Sequence, residues 1–261
     1  MWIKAIILGI IEGLTEFLPI SSTGHLIIAN KYLNFEGAFA NLFAVVIQVG
    51  AILAVVIYFK DKLIPKLSEI KESKPYIQLW SKVVVGIIPA ALIGIPFEDK
   101  IEEYLFHPWV VGVALIVGAV MLMVAEKKLN HVKVDSEHLI TYKQAFIVGL
   151  FQCMAMIPGM SRSGSTIIGA LVLGFSRAVA AEFSFFLAIP TIMGAGFIKL
   201  VKSEYVMTPQ EWGVLGIGTF VSFVVAYGVI AVFMNYIKKH DLTVFAYYRI
   251  ILGVIILITM L

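Results

Sequence analysis

The sequence predicts an all-α, polytopic membrane protein with six transmembrane helices and two re-entrant helical hairpins. Three observations predict this class. Hydrophobic residues make up 60% of the 261 residues and charged residues only 14%, against roughly 25% charged residues in a soluble domain. Several apolar runs reach about 18 residues, the length at which a helix crosses a bilayer. Two further apolar segments are each broken in the middle by polar, Pro- and Gly-containing sequence.

The net charge and the cysteine count exclude several function classes. The formal net charge is +3, but the lysines are confined to the loops between apolar runs, so this charge does not predict nucleic-acid binding. The single Cys153 excludes an intrachain disulfide framework and a cysteine-based metal site.

The first broken segment covers residues 5–29. Its two apolar halves are too short to cross a membrane, and Pro19 and Gly24 interrupt the helix between them. We expect a hairpin that enters the membrane and returns to the same side. Broken backbone is tolerated at that depth where it is buried in protein or lines a cavity.

The rest of the chain alternates apolar runs with polar loops. Spans are expected at residues 42–59, 83–97, 109–125, 178–198, 213–234 and 244–261, and the second broken hairpin at 144–174. Polar loops are expected at 60–82, 98–103 (acidic), 126–143, 199–211 and 235–243. The loops at 60–82, 126–143 and 235–243 carry most of the loop lysines, which places them in the cytoplasm and both termini outside.

The two hairpins resemble each other, which predicts an internal repeat. The matched positions are Ala5–Gly9 with Ala145–Gly149, Glu12 with Gln152 and, after a one-residue gap, Pro19 with Pro158 and Ser22 with Ser161. Three spans follow each hairpin, so the second copy is inverted in the membrane. We expect a single integral membrane domain, residues 1–261, with repeat 1 at about 1–125 and repeat 2 at about 143–261, and a site where the hairpin tips meet.

The second hairpin carries a dense polar segment, Pro158 to Thr166, with an Arg, three Ser and a Thr. Arg162 stays charged and its planar fork matches a phosphate group. Hydroxyl donors beside it favour an oxyanion ligand. The predicted phosphate-binding residues are Ser21, Thr23, Ser161, Arg162, Ser163 and Thr166. Two alternatives remain for the hydroxyls: helix N-capping in the first hairpin and hydrogen bonds to backbone carbonyls in the second.

Glu12 and Glu16 are four residues apart and share a helix face. Two carboxylates inside an apolar segment are costly unless they bind a cation, meet an arginine or share a proton. Together with substrate phosphate oxygens they would suit Mg²⁺. The alternative is a pair neutralised by Arg162.

Ser22 and His25 lie three residues apart, on one face if a helix begins near Ser22. A serine with a histidine within reach is the minimum for an activated nucleophile. His25 alone could act as a general acid, and it could equally be a buried histidine with a structural role. Glu182 and Arg249, in or next to apolar runs, could support the site.

Two motifs carry a resemblance to a known family. Glu12-Gly-Leu-Thr-Glu16 resembles the (E/Q)-x-x-x-E motif of the undecaprenyl-diphosphate phosphatases, also called bacitracin-resistance proteins. Residues 158–166 are similar to that family's P-G-x-S-R-S-x-x-T motif at every fixed position. Ser21-Ser-Thr-Gly-His25 resembles the segment that follows the first motif.

The resemblance implies a membrane phosphatase that cleaves undecaprenyl diphosphate to the monophosphate and inorganic phosphate, recycling a lipid carrier for wall synthesis and conferring bacitracin resistance. It implies a divalent-cation requirement and a site that opens to the outer face of the cell membrane. It ties Glu16, His25 and Arg162 to activity, with Glu12, Ser22, Ser161 and Thr166 beside them. Together with the residue patterns above, the predicted catalytic residues are Glu16, Ser22, His25 and Arg162, and the predicted ligands of the cation, Mg²⁺ or Ca²⁺, are Glu12 and Glu16.

The expected partners are the polyprenyl diphosphate lipid and the membrane, with no nucleic acid, and a homodimer is left open. The alternative function is a polyprenyl-phosphate flippase or transporter, because inverted repeats with broken helices also suit alternating access.

Overall fold

The computed structural model describes residues 1–65, 73–129 and 132–260. The described residues form eleven α-helices, which are α1 (Trp2–Thr15), α2 (Ser22–Leu33), α3 (Ala38–Tyr58), α4 (Lys60–Leu63), α5 (Lys74–Leu105), α6 (Pro108–Lys128), α7 (Tyr142–Gln152), α8 (Arg162–Val172), α9 (Arg177–Lys202), α10 (Pro209–Tyr236) and α11 (Thr243–Thr259). Parts of the loops expected at 60–82 and 126–143, namely residues 66–72 and 130–131, lie outside the described residues, as does the end of the last expected span at Leu261.

Five helices among the described residues are long and apolar enough to cross a membrane. They are α3, residues 74–97 of α5, α6, α9 and α10, and they coincide with the first five expected spans. The sixth expected span corresponds to α11, a shorter apolar helix of 17 residues. The all-helical membrane class is therefore confirmed.

The prediction of an acidic loop at 98–103 is wrong, because the backbone there continues the helix α5 to Leu105. Most residues of this stretch are good helix formers, and acidity alone does not end a helix. The loop expected up to residue 82 is also too long. Helix α5 already begins at Lys74, with Pro75 in its first turn, where the missing N–H of proline costs no hydrogen bond.

Each broken segment forms two short helices joined at a tight turn. In the first, α1 ends at Thr15 and α2 begins directly after Ser21. In the second, α7 is followed by a 3₁₀ turn, Cys153–Met156, and α8 begins directly after Ser161. Ser21 has φ 70° and Ser161 has φ 68°, a left-handed backbone that non-glycine residues rarely adopt.

These two serines correct the expected register of the repeat. Ser22 opposite Ser161 is wrong, because the matching positive φ values pair Ser21 with Ser161. The interval from Gly9 to Ser21 equals that from Gly149 to Ser161, so no gap is needed. Pro19 and Pro158 lie one position apart in otherwise equivalent turns, so aligning the two prolines shifts the serines out of register.

The helices pack across the two halves of the chain. Helix α1 packs against α10, α7 packs against α5, and α3 contacts α9 in the centre. The contacts of α1 and α7 depend on glycines. A Cβ on Gly9 would lie 2.6 Å from the Gly218 carbonyl oxygen, and a Cβ on Gly149 would overlap the Gly86 carbonyl oxygen. The first helix of each hairpin therefore lies close to a long helix from the opposite half, which brings both hairpin tips to the same region.

Candidate active site

The tips of the two hairpins line one cavity of about 250 Å³. Six of the predicted site residues contribute to its wall, namely Glu16, Ser21, Ser22, Thr23, Ser161 and Arg162. A water molecule takes up about 30 Å³ in the liquid, so a cavity of this size has room for a diphosphate group. The site therefore forms between segments that are about 140 residues apart in the sequence.

Two helix N-termini face this cavity. The Ser21 Oγ accepts a hydrogen bond from the Gly24 N–H at 3.5 Å, and the Ser161 Oγ accepts one from the Gly164 N–H at 3.1 Å. Ser21 is thus the N-cap of α2, as one of the alternatives had it, and Ser161 is the N-cap of α8. Because a helix N-terminus presents free N–H groups and a partial positive charge, the pair favours an anion between them.

Glu16 connects the two hairpins. Its Oε2 accepts a hydrogen bond of 2.6 Å from the Ser22 hydroxyl, and its Oε1 accepts one of 2.9 Å from Arg162 Nη2. The carboxylate is 8% exposed. A hydroxyl bonded to a carboxylate is a nucleophile with a base already in place, and the neighbouring guanidinium supplies positive charge for the group that the hydroxyl would attack.

Arg162 is held in place by α9 and by the first hairpin. Its Nη1 donates to the Ser184 carbonyl at 3.1 Å, and its guanidinium lies over the Phe17 ring at 5.9 Å from the ring centre. Its Nε, although buried, has no hydrogen-bond partner among the described residues. The guanidinium thus keeps hydrogen-bonding capacity beyond its protein contacts.

Ser163 and Thr166 lie outside the residues that line the cavity. Ser163 Oγ donates to the carbonyls of Glu16 and Leu18, and Thr166 Oγ1 donates to the Arg162 carbonyl and to Ser184 Oγ. Both hydroxyls are fully buried. Their contacts match the second alternative, hydrogen bonding to the backbone, and Ser163 fastens one tip to the other.

His25 also lies outside the cavity wall. Its Nδ1 is 2.8 Å from the Ser21 carbonyl oxygen and its Nε2 is 2.6 Å from the Tyr248 hydroxyl. A carbonyl only accepts, so Nδ1 carries a proton, and in the neutral ring Nε2 accepts from Tyr248. Ser22 therefore contacts Glu16 and not His25. The contacts of His25 support the turn at Ser21.

Glu12 is completely buried, and neither of its carboxylate oxygens has a hydrogen-bond partner among the described residues. The side-chain amide of Gln152, at the matching place in the second hairpin, is likewise buried and without a partner there. Two free carboxylate oxygens one helical turn from Glu16 are suitable donors for a divalent cation. The described residues contain no group of three or more His, Cys, Asp or Glu side chains placed to hold a metal, so phosphate oxygens would have to complete such a site.

Sequence reasoning missed two polar residues in the cavity wall, Gln48 of α3 and Thr191 of α9. Gln48 had a signal, because it is an amide inside an apolar run, where polar groups are usually functional. Gln48 also borders a second cavity of about 430 Å³, which is lined largely by apolar residues and shares Thr23 and Ala195 with the first. A polar cavity thus adjoins an apolar one.

Comparison with known proteins agrees with this geometry. A family model described as "Bacitracin resistance protein BacA" matches residues 5–255. The chain belongs to this family. Its members include an undecaprenyl-diphosphatase 1 of Clostridioides difficile (strain 630), which is 52% identical to this chain over an alignment of 258 residues that covers 97% of this chain and 94% of that protein.

Two other relatives are nearly as similar. The undecaprenyl-diphosphatase of Caldanaerobacter subterraneus subsp. tengcongensis is 50% identical and covers 98% of this chain and 94% of its own length. The protein of that name from Enterococcus faecalis is 46% identical, with 98% and 96% covered. With its apolar helices, this BacA family member is a multi-pass membrane protein.

Proposed function

We propose that this protein hydrolyses undecaprenyl diphosphate to undecaprenyl phosphate and inorganic phosphate. The observation that carries the proposal is the position of Glu16, between the hydroxyl of Ser22 and the guanidinium of Arg162, at a cavity where two helix N-termini meet. The relatives reported above carry the name of this activity. This function also places the protein in lipid-carrier recycling for the cell wall and accounts for the bacitracin resistance in the family name.

The two adjoining cavities suit the two ends of this substrate. The diphosphate occupies the polar cavity, where Arg162 and the N-termini of α2 and α8 compensate its negative charge. The first prenyl units occupy the apolar cavity, whose wall includes Leu26, Ile27 and Val45. Thr23 and Gln48 line both cavities, so they lie where the chemistry of the substrate changes from ionic to hydrocarbon.

The chemical step begins at Ser22. Glu16 takes the hydroxyl proton while Ser22 Oγ attacks the terminal phosphorus, and the bond from that phosphorus to the bridging oxygen breaks. The leaving group is undecaprenyl phosphate, which departs with the bond electrons as an anion and needs no proton. Water then attacks the phosphoserine phosphorus and the bond from that phosphorus to Ser22 Oγ breaks. Ser22 Oγ takes back the proton held by Glu16, and inorganic phosphate leaves with the water oxygen and its protons. The Arg162 guanidinium and the N–H groups at the start of α8 stabilise the charge on the transferring phosphoryl group.

The proposal includes a divalent cation at Glu12 and Glu16, with phosphate oxygens completing its ligands. Such an ion, Mg²⁺ or Ca²⁺, would offset phosphate charge at the site. Glu12 then serves to hold the ion, and Arg162 remains the fixed positive charge of the site. Ser21, Thr23 and Ser161 contribute hydroxyls to the cavity wall as phosphate ligands, and Ser163 and Thr166 hold the backbone that carries Arg162.

His25 acts in this proposal by supporting the turn that precedes Ser22. Its hydrogen bond to the Ser21 carbonyl fixes a residue with φ 70°, and a residue held in that region needs support from its surroundings. This role replaces the expected proton transfer by His25, because the Ser22 proton already has Glu16 as its acceptor.

The membrane arrangement that goes with this function has six spans and two re-entrant hairpins, α1–α2 and α7–α8, in an inverted repeat of residues 1–125 and 143–261. The crossed packing of α1 on α10 and α7 on α5 supports the inversion. Helix α11, with 17 residues, is at the lower limit of length for a span. The lysine-rich loops then face the cytoplasm, and the site opens to the outer side of the cell membrane.

The decisive experiment measures phosphate release from undecaprenyl diphosphate by purified protein in detergent, where transport has no meaning. Ser22→Ala is expected to reduce turnover by about 10³-fold, within the range that positioned proton-transfer groups contribute. Ser165→Ala is the matched control, because Ser165 is buried, lies outside the cavity wall and has no hydrogen-bond partner among the described residues. Substrate labelled in the terminal phosphate should leave acid-stable label on the wild type.

Near-normal turnover in Ser22→Ala, without protein-bound label in the wild type, would leave water as the nucleophile. The second candidate function is a polyprenyl-phosphate flippase, which the crossed packing of the two halves also supports. Binding of the lipid diphosphate without any phosphate release would favour that alternative.

A further inference from the structure

Arg249 of α11 is completely buried and forms no salt bridge with any of the described residues. A buried guanidinium is tolerated only when its N–H groups find acceptors. All the acceptors of Arg249 are backbone carbonyls. This chemistry differs from that of Arg162, whose partners include a carboxylate and which lines the cavity.

The carbonyls come from three separate segments. Arg249 Nη1 donates to Pro19 in the first hairpin tip at 3.2 Å, and Nη2 donates to Gly159 and Met160 in the second tip at 3.2 and 3.0 Å. Its Nε donates to Leu115 in the middle of α6 at 3.2 Å. A single side chain therefore fastens both tips to each other and to a long helix.

We infer that Arg249 is a positioning residue that sets the distance and orientation between the two hairpin tips across the active site. This inference rests on the proposed function for its effect on turnover. Because a peptide unit is planar and trans, the Met160 carbonyl that points to Arg249 directs the N–H of Ser161 away from the guanidinium. Ser161 belongs to the cavity wall, so Arg249 orients a backbone donor of the anion site without contacting the substrate.

The surroundings of Arg249 are shaped to hold the guanidinium in one place. A Cβ on Gly164 would lie 2.7 Å from Nη1, and a Cβ on Gly118 would overlap Nη2. Gly118 lies on α6 and Gly164 in the first turn of α8, so a residue with a side chain at either position would displace the arginine. Gly118→Ala is therefore a way to move the guanidinium without removing it.

Lysine cannot reproduce these contacts. Its ammonium is a point charge with three donors, whereas the guanidinium is a planar fork with five. Arg249→Lys keeps the positive charge and most of the volume, so it separates the effect of the charge from the effect of the fork. We expect kcat to fall by about 10²-fold, the effect of a misplacement of about 1 Å at a reacting centre, with a smaller change in KM.

The test compares Arg249→Lys and Gly118→Ala with Gly228→Ala, a control on α10 where a Cβ meets no atom within 4 Å. Phosphate release is measured together with hydrogen exchange of peptides that cover residues 18–22 and 158–162. We expect both variants to lose turnover and to exchange faster in both tip peptides, with exchange elsewhere close to that of the control.

Three results would overturn the inference: wild-type kcat in Arg249→Lys, faster exchange in only one tip, and faster exchange throughout the protein. The exchange measurement does not depend on turnover. If the wild type releases no phosphate, the proposed function fails while the linkage between the tips is still tested. If the wild type is active and the tip peptides are unchanged in both variants, the positioning role alone fails.

Discussion

At the tip of the first hairpin Ser21 has φ 70° and ψ 99°, and at the tip of the second Ser161 has φ 68° and ψ 121°. Each serine caps the helix that follows by accepting the N–H three residues on. The residues next to them differ, since Ser22 follows the first and Arg162 follows the second. The same backbone thus supplies two positive helix ends, while the side chains that follow differ, a hydroxyl on one side and a guanidinium on the other.

The contrast extends to the helices that lead into the tips. Glu12 and Gln152 occupy matching positions, both buried and both without hydrogen-bond partners among the described residues. The Glu12 carboxyl group can carry a charge, and the Gln152 amide cannot. His25 contacts both the first turn and the Tyr248 hydroxyl. The matching position in the second hairpin is occupied by Ser165. The two carboxyl groups and the imidazole therefore belong to the first hairpin, and the guanidinium belongs to the second.

The largest effect is expected where the two hairpins meet, at Glu16. Glu16→Gln removes the base for Ser22 and leaves Arg162 without its carboxylate. We expect turnover to fall by about 10³-fold, because a positioned general base contributes 10²–10⁴-fold. Phosphate release is the measurement. Activity within a few-fold of the wild type would mean that the division of roles between the hairpins is wrong.

Arg162→Lys tests the second hairpin alone. A point charge does not replace the fork that binds Glu16 and would bind phosphate, so we expect kcat/KM to fall by about 10²-fold, mostly through a higher KM. Steady-state kinetics measure kcat and KM separately. Lys4→Arg, at a residue outside the cavity wall, is the converse control. An unchanged KM would show that substrate phosphate does not depend on this fork.

Substitutions at Glu12 and Gln152 test the contrast between α1 and α7, the helices that lead into the two tips. Glu12→Gln is expected to abolish the dependence of turnover on added divalent cation, since the free carboxylate oxygens disappear. Gln152→Glu places a buried charge without a partner, so its melting temperature should fall by several degrees, the equivalent of about 1–3 kcal/mol. A cation requirement that persists in Glu12→Gln would remove the proposed ion from this pair.

The smallest effect is expected at Tyr248. Tyr248→Phe removes the hydroxyl that donates to His25 Nε2 and keeps the ring stacked on the imidazole. A neutral hydrogen bond contributes about 0.5–1.5 kcal/mol, so turnover should fall by roughly two- to tenfold. Tyr247→Phe, on the exposed neighbour, is the control. A loss as large as that of Glu16→Gln would instead indicate that Tyr248 and His25 take part in proton transfer.

Several features followed from the sequence because they depend on local composition. Apolar runs about 18 residues long predicted α3, α6, α9 and α10, since a helix in lipid must satisfy its backbone within itself. The polar breaks predicted both hairpins, and the i, i+4 spacing put Glu12 and Glu16 on one face. The local signal fails at 98–103, because the acidic residues there are compatible with a loop by polarity yet favour a helix.

Which hydroxyls face the ligand, and which face the backbone, depended on contacts between residues far apart in the chain. Ser22 and Ser163 are both serines beside a turn, yet one points to Glu16 Oε2 and the other to two carbonyls. Arg162 and Arg249 are both arginines in apolar sequence, yet one lines the cavity and the other holds carbonyls together. No local pattern distinguishes them, because their partners lie up to 230 residues away.

The sequence by itself determined that the chain is a helical membrane protein with two broken hairpins and a set of residues suited to phosphate. Composition and spacing are sufficient for this, because the bilayer permits few backbone structures. The tertiary structure decided the register of the two tips, the pairing of Ser22 with Glu16 and the central place of Arg249. These depend on packing across the two halves of the chain, where glycines allow helices to approach and most buried polar groups find a partner.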